Sequence, residues 1–481
     1  MKQGKILLLS SVITLAACDL APDYHVPETP PPSVYKENLS DWAPAKPAET
    51  VERGTWWKIF HDPQLDALED QVTTANQNLK AALAQYQQAR GLAAQVRSAY
   101  FPTITGNAGA SRQRISNNLA NDASVTRYND FTFGADLTYE IDIWGRVRNL
   151  VAANEDQAQA SAADLAGVAL DLHAELASDY FSLRGDDAAQ AVLDKTVIED
   201  QKGYDLTKRR FQGGVSPEAD LDQAKTQLEN AKTQASDMRL QRAQLEHAIA
   251  VLTGQAPADF NLAPAPFAAQ IPALNPGMPS TLLERRPDIA AAEKRVAAAN
   301  ADIGVARAAW FPTISLTGSA GFEAAHTSNL FEAPSQFWSL GPSAVVTLFD
   351  AGAIASLNDQ ARAAYDQSAA SYRETVLEAW QDVENNLAAM HHLADEKVTQ
   401  DSATKAAQRA FVQANNLYIG GATTYLDVVV AQNTQLQAQL NQSNVQARQL
   451  VAAVQLARAL GGGWSVENIQ ALDAKAEAKK D

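Results

Sequence analysis

The chain is poor in the residues that most often carry chemistry. One of its 481 residues is cysteine, so no internal disulfide can form. Seven are histidine, and only His391 and His392 are adjacent. Adjacent residues on a helix point to different faces, which disfavours a metal site there. No phosphate-binding glycine loop, H-E-x-x-H pair or cysteine cluster occurs. These absences predict a protein that is not an enzyme, with no catalytic residues, no metal and no diffusible cofactor. Positive charge is also scarce: 39 Lys and Arg stand against 56 Asp and Glu, a net charge of −17. Such an acidic balance argues against nucleic acid and against anionic lipid heads, and suits a conduit that tolerates or attracts cations. Beyond the first residues no apolar run approaches the ~20 residues of a membrane helix. Any membrane crossing must then be a closed barrel, because open sheet edges cannot face lipid.

The first residues have the form of an export signal. Lys2 and Lys5 precede the apolar run Ile6 to Leu15, and Leu15-Ala16-Ala17-Cys18 follows. We read 1–17 as a lipoprotein signal peptide and Cys18 as the lipid-modified first residue of the mature chain. Losing Lys2 and Lys5 with it takes the net charge from −17 to −19.

The remainder is written twice. Gln77-Asn78-Leu79 through Tyr100-Phe101-Pro102-Thr103-Ile104 matches Pro287-Asp288-Ile289 through Trp310-Phe311-Pro312-Thr313-Ile314. Gly145, Gly213-Gly214 and Gly254 match Gly352, Gly420-Gly421 and Gly461, all at a spacing of 207. Each copy predicts helix, strand, loop, strand, helix, helix. Residues 64–100 and 280–310 are helical in composition and stop at Phe-Pro. Residues 131–143 alternate: Phe131, Phe133, Ala135, Leu137, Tyr139, Ile141 and Ile143 share one face, and Asp136, Glu140 and Asp142 the other. From about Arg146 to Phe211 no proline intervenes, which predicts a helix of roughly 90 Å. Ala224, Ala231, Met238, Leu245 and Leu252 form a heptad, and Ala431, Ala438, Val445, Ala452 and Ala459 its counterpart. Such a period means coiled-coil-like packing. Four strands cannot close a barrel alone, so a homo-oligomer is expected.

Several motifs complete the pattern: Ala21-Pro22-Asp23-Tyr24, Trp56-Trp57 with Asp62-Pro63, Glu140-Ile141-Asp142-Ile143-Trp144-Gly145-Arg146, Leu282 through Ile289, Trp310-Phe311-Pro312 and the two Gly-Gly turns. In this order and duplicated, they make the chain similar to the TolC-type outer-membrane factors, most closely the lipoprotein branch serving resistance-nodulation-division efflux pumps. The resemblance implies a mainly α fold with a membrane β-barrel part. A homotrimer would form a 12-stranded barrel and a 12-helix periplasmic tunnel in the outer membrane of a Gram-negative bacterium. It implies a passive conduit in a tripartite efflux system, in contact with outer-membrane lipid, a periplasmic adaptor protein and an inner-membrane pump. By the same resemblance the chain divides into the signal peptide 1–17, an anchor and equatorial segment 18–63, a first repeat 64–254, a linker 255–279 in an equatorial belt, a second repeat 280–462 and a tail 463–481. Gly213, Gly214, Gly420 and Gly421 would turn at the tunnel tip; Asp427, Asp220, Tyr418 and Thr423 would form the periplasmic gate. Asp136, Glu140 and Asp142 would face the barrel lumen. Two positions depart from the family. Asp19 follows Cys18, a pattern that retains lipoproteins at the inner membrane in enteric bacteria; the barrel outweighs it. Thr423 and Val430 stand where the archetype has an Arg and a second acid. The competing readings are a lipid-anchored periplasmic coiled-coil adaptor and a conduit for type I protein secretion.

Overall fold

The computed structural model describes residues 19–37, 55–116, 127–267, 271–272 and 285–462. The signal peptide, Cys18 and the tail lie outside the described residues. Helices α1 (Pro63–Ala75) and α2 (Gln77–Arg97) lead to strands β1 (Thr103–Arg114) and β2 (Arg127–Glu140). Helices α3 (Arg146–Gln212) and α4 (Glu218–Leu252) close the first copy. The second copy runs α5 (Pro287–Ala308), β3 (Thr313–Ala324), β4 (Gln336–Val345), α6 (Ala353–Ile419) and α7 (Tyr425–Ala459). The duplication is visible in the lengths: α3 and α6 have 67 residues each, α4 and α7 have 35 each. At 1.5 Å per residue the longer pair reach roughly 100 Å.

The predicted first helix, 64–100, is two. Asn76 breaks it: its Oδ1 accepts from the Leu79 amide at 3.0 Å, while its Nδ2 donates to the Leu252 carbonyl at 2.8 Å. At the other end Asp62 caps α1, accepting from the Gln64 and Leu65 amides ahead of Pro63 at N1.

The chain folds as two compact units. One holds residues 1–28, 85–161 and 291–373. Its centre is one antiparallel sheet in the order β1-β2-β3-β4, leaving β1 and β4 as open edges. The register sorts side chains by face. Thr105, Asp136 and Ser319 are cross-strand neighbours, as are Thr103, Thr138 and Thr317. The opposite face carries Ile104 with Leu137, Ala108 with Phe133 and Phe322, and Ala320 with Trp338. That face is bare: Trp338 is 79% exposed and Ile104 67%.

The other unit holds residues 29–84, 162–290 and 374–481. Trp56, Trp57, Phe60, Leu65, Leu176, Phe181, Leu450 and Leu456 are buried in one core. The heptad of α4 packs inward at Ala224, Ala231 and Leu252, and that of α7 at Val445, Ala452 and Ala459. The ends of the two copies are joined in parallel fashion. Gly254 (φ +72°) lies against the Ala75 carbonyl, and Gly461 (φ +88°) against the Arg285 carbonyl. The last carbonyls of α4 are met by the neutral amide of Asn76. Those of α7 are met by Arg286, which donates to Ala459 while ion-paired with Asp288 and Asp382.

Glu69 and His173 form a buried pair in this core. His173 Nδ1 lies 2.6 Å from Glu69 Oε2, and its ring stacks on Trp57 with centroids 4.4 Å apart. Burial, reinforced by Asp66 and Asp70, raises the Glu69 carboxyl well above the usual range. Burial lowers His173 to about 4. Both are therefore neutral, with the Glu69 hydroxyl donating to Nδ1. The raised Glu69 contributes stability below the free-carboxyl pKa and loses it as pH rises through its folded value. The lowered His173 contributes above about 6.5 and loses it as pH falls toward about 4. Glu69→Gln keeps a donor to Nδ1 and cannot ionise. Melting curves across pH should show the alkaline loss abolished and the acid loss retained; an unchanged profile would rule out the neutral pair.

Candidate functional site

Two places gather the residues singled out by the sequence. The first is the foot of the sheet, where strands meet helices. β2 ends at Glu140, earlier than the alternation through 143 predicted. Asp142 therefore leaves the ladder. Its carboxylate accepts from the amides of Val147 (3.1 Å) and Arg148 (2.9 Å), capping α3. A free helix end needs an acceptor, and here that need overrides the two-residue period. Glu140 is paired with Arg146 through both carboxylate oxygens. Asp136 lies well within the polar ladder, accepting from Asn107 Nδ2, while Glu140 is its last rung, opposite Ser315. Trp144 stacks on Phe311 at 4.7 Å and donates to the Pro312 carbonyl. Asp19 sits here too, accepting from Asn149 Nδ2 at 2.8 Å.

The second place is the pair of helical turns. Gly214 (φ +74°) and Gly421 (φ +72°) take the left-handed conformation that ends α3 and α6. Val215 donates to the Arg210 carbonyl, and Ala422 to that of Leu417. The turns differ in what starts the next helix. Thr424 and Asp427 form a capping box on α7, with Asp427 Oδ2 accepting from the Thr424 amide and hydroxyl and from the Thr423 hydroxyl. Those hydrogen bonds hold the Asp427 carboxyl below the usual range. On α4 the cap position is Pro217, which has no side-chain acceptor.

Beneath the turns is a small core of Ala224, Tyr418, Tyr425, Val428 and Val429. Tyr418, expected at the gate, is buried within it, because its ring lies under the Arg210 guanidinium (4.8 Å) and beside Tyr425 (5.3 Å). Arg210, from α3, thus sets a cation over Tyr418. Asp200, also missed from the sequence, accepts from Gln432 Nε2 at 2.5 Å; burial pushes its carboxyl to about 6 and the Tyr425 hydroxyl to about 12. Residue types alone gave no signal for these, since Arg210 and Asp200 come from α3 and their partners Tyr418 and Gln432 from the other hairpin. Around the turns Val215, Ile419, Leu426 and Val430 stand exposed. Among the described residues no group of three or more His, Cys, Asp or Glu could hold a metal ion.

The outer membrane efflux protein model matches residues 68–255 and 278–462. The chain belongs to the outer membrane efflux protein family. It is 31% identical over 472 residues to the probable efflux pump outer membrane protein TtgC of Pseudomonas putida, covering 96% of this chain and 97% of that protein. It is 31% identical to the outer membrane protein OprJ of Pseudomonas aeruginosa, with 94% of each covered. Its structure superposes on the Campylobacter jejuni CmeC outer membrane channel with a TM-score of 0.89 at 26% identity, covering 96% of this chain and 98% of that one. This efflux protein has the TolC-like fold, a duplicated helical repeat that carries a few strands. It is an outer-membrane channel component of an efflux system in a Gram-negative bacterium, extending into the periplasm. The family is one of channels, not enzymes.

Proposed function

We propose that three copies of this chain pool their sheets into one 12-stranded barrel and their helices into a 12-helix periplasmic tunnel, through which small molecules pass from a pump to the exterior. The observation that carries this is the sheet itself: two open edges and one bare apolar face. In lipid each unpaired backbone group costs several kcal/mol, and closure with neighbouring copies removes them. The exposed apolar residues around the two turns suit an adaptor, with an inner-membrane pump behind it. Residues 18–63 serve as anchor and equatorial segment and 255–279 as the linker in the equatorial belt, with Cys18 carrying the lipid anchor. Mass measurement in detergent tests both oligomer and anchor. The expected species is a trimer of chains beginning at an acylated Cys18; a stable monomer would refute the shared barrel.

In this assembly Asp427 and Asp220 each form a ring of three at the narrow end of the tunnel, beside Thr423. Polyvalent cations added from the periplasmic side then block single-channel current. Asp427→Ala should weaken the block several-fold, and Asp220→Asn should act independently because Asp220 takes part in no capping box. Val430 removes a second acid from the same helix, so the block is weaker than in a channel with two such rings on it. Block unchanged in both variants would remove the two acids from the throat.

A further inference from the structure

The net charge argues against anionic lipid, but charge is not evenly spread over the sheet. The apolar face of the β1–β2 pair can be read upward through its cross-strand neighbours. They are Ile104 with Leu137, Gly106 with Ala135, Ala108 with Phe133 and Ala110 with Phe131. The next two pairs on the same face are Arg112 with Asn129 and Arg114 with Arg127. Directly opposed residues of an antiparallel pair share a face, so three arginines continue the apolar ladder toward the hairpin end of the strands. Acidic neighbours are on the other face: Asp130 pairs with Ser111, and Glu323 with Thr132. Among the described residues none is ion-paired to Arg112, Arg114 or Arg127.

The height of this triad is informative. From Ile104 to Arg112 is eight residues, roughly 27 Å along a strand and roughly 21 Å once tilted as in a barrel. The apolar band of such barrels is about 25 Å tall, bounded by aromatics. Phe101 and Trp310 stand exposed at the foot. Within the band, level with Ala108, Phe331 packs edge-on against Phe133 and Phe322. The arginines therefore sit at headgroup level of the leaflet remote from the helices. Arg114 facing Arg127 is repulsive by itself, and a shared anion converts the repulsion to attraction. Planar guanidinium groups match phosphate by paired hydrogen bonds.

We propose that Arg112, Arg114 and Arg127 bind the phosphate groups of a phosphorylated glycolipid in the outer leaflet. The proposal rests on the barrel reading above, since that reading turns the apolar face to lipid. The probe is bis-phosphorylated lipid A, added to detergent-purified trimers and followed by native mass spectrometry. Wild type is expected to retain lipid A over its dephosphorylated form. The R112Q/R114Q/R127Q variant should retain it roughly 100-fold less, given the attraction that each surface cation supplies to anionic headgroups. Arg→Lys at all three, which keeps charge but loses paired hydrogen bonds, should fall between. Equal retention by wild type and the Gln variant, or displacement of lipid A by millimolar inorganic phosphate alone, would overturn the lipid assignment. Trimers that form pores yet show no preference for the phosphorylated form would overturn it while leaving the barrel intact. Absence of trimers in the same spectra would sink the barrel reading, and this proposal with it.

Discussion

Leu137→Arg should impair trimer assembly, and Asp136→Arg, one residue away, should not. Leu137 lies on the bare face of β2, opposite Ile104 and Gly318. Asp136 lies on the polar face between Thr105 and Ser319. A cation on the lipid side of a barrel costs roughly 2–4 kcal/mol at the midplane and about 0–1 kcal/mol at the interfaces, and Leu137, level with Ile104 toward the foot of the apolar face, falls between the two. A threefold assembly carries that cost three times, against a total stability of ordinary proteins of ~5–15 kcal/mol. The polar face tolerates Arg because water and the hydroxyls of Thr and Ser solvate it. Its effect should appear as a shift from cation toward anion selectivity in planar-bilayer recordings. Equal loss of heat-stable trimer in both variants would mean that the faces are assigned wrongly.

The second large effect is expected at Gly461. A Cβ there would lie 2.1 Å from the Arg285 carbonyl oxygen, and φ is +88°. Gly461→Ala combines left-handed strain of about 1–2 kcal/mol with a clash that the backbone must move to relieve, worth about 1–3 kcal/mol more. Gly214 supplies the comparison. Its φ is +74° but nothing lies within 4 Å of a Cβ built there. Gly214→Ala should therefore show the strain alone, about 1–2 kcal/mol. Denaturant midpoints of the two variants separate the contributions; equal shifts would show that the contact with Arg285 relaxes at no cost.

The features legible in the sequence are those set by a period or a repeat. The spacing of 207 gave the paired long helices, and the alternation gave β2 as far as Glu140. What the sequence concealed depends on partners far along the chain. Asn76 sits in a run that reads as helix, and it breaks that run because Leu252, 176 residues away, offers it a carbonyl. Asp142 continues the alternation in type but is drawn off by the amides of α3. Tyr418 resembles an exposed turn residue until Arg210 and Tyr425 are placed around it. Of the candidate site, Gly214 and Gly421 are legible in the sequence because positive φ selects the residue type. The burial of the side chains around them is not, since it is a property of two hairpins together.

The unlike starts of α4 and α7 have a mechanical consequence. A Thr424–Asp427 box holds the first turn of one helix closed, whereas Pro217 gives the other no side-chain cap and its carbonyl alone meets the Asp220 amide. A side-chain cap is worth about 1 kcal/mol, which changes the population of an unwound first turn by about fivefold. Around a threefold assembly six helical hairpins would then alternate between stiff and compliant. In the proposed trimer, an aperture of three stiff ribs and three soft leaves would dilate along the leaves, with half the hairpins deforming while the others keep the ring in register.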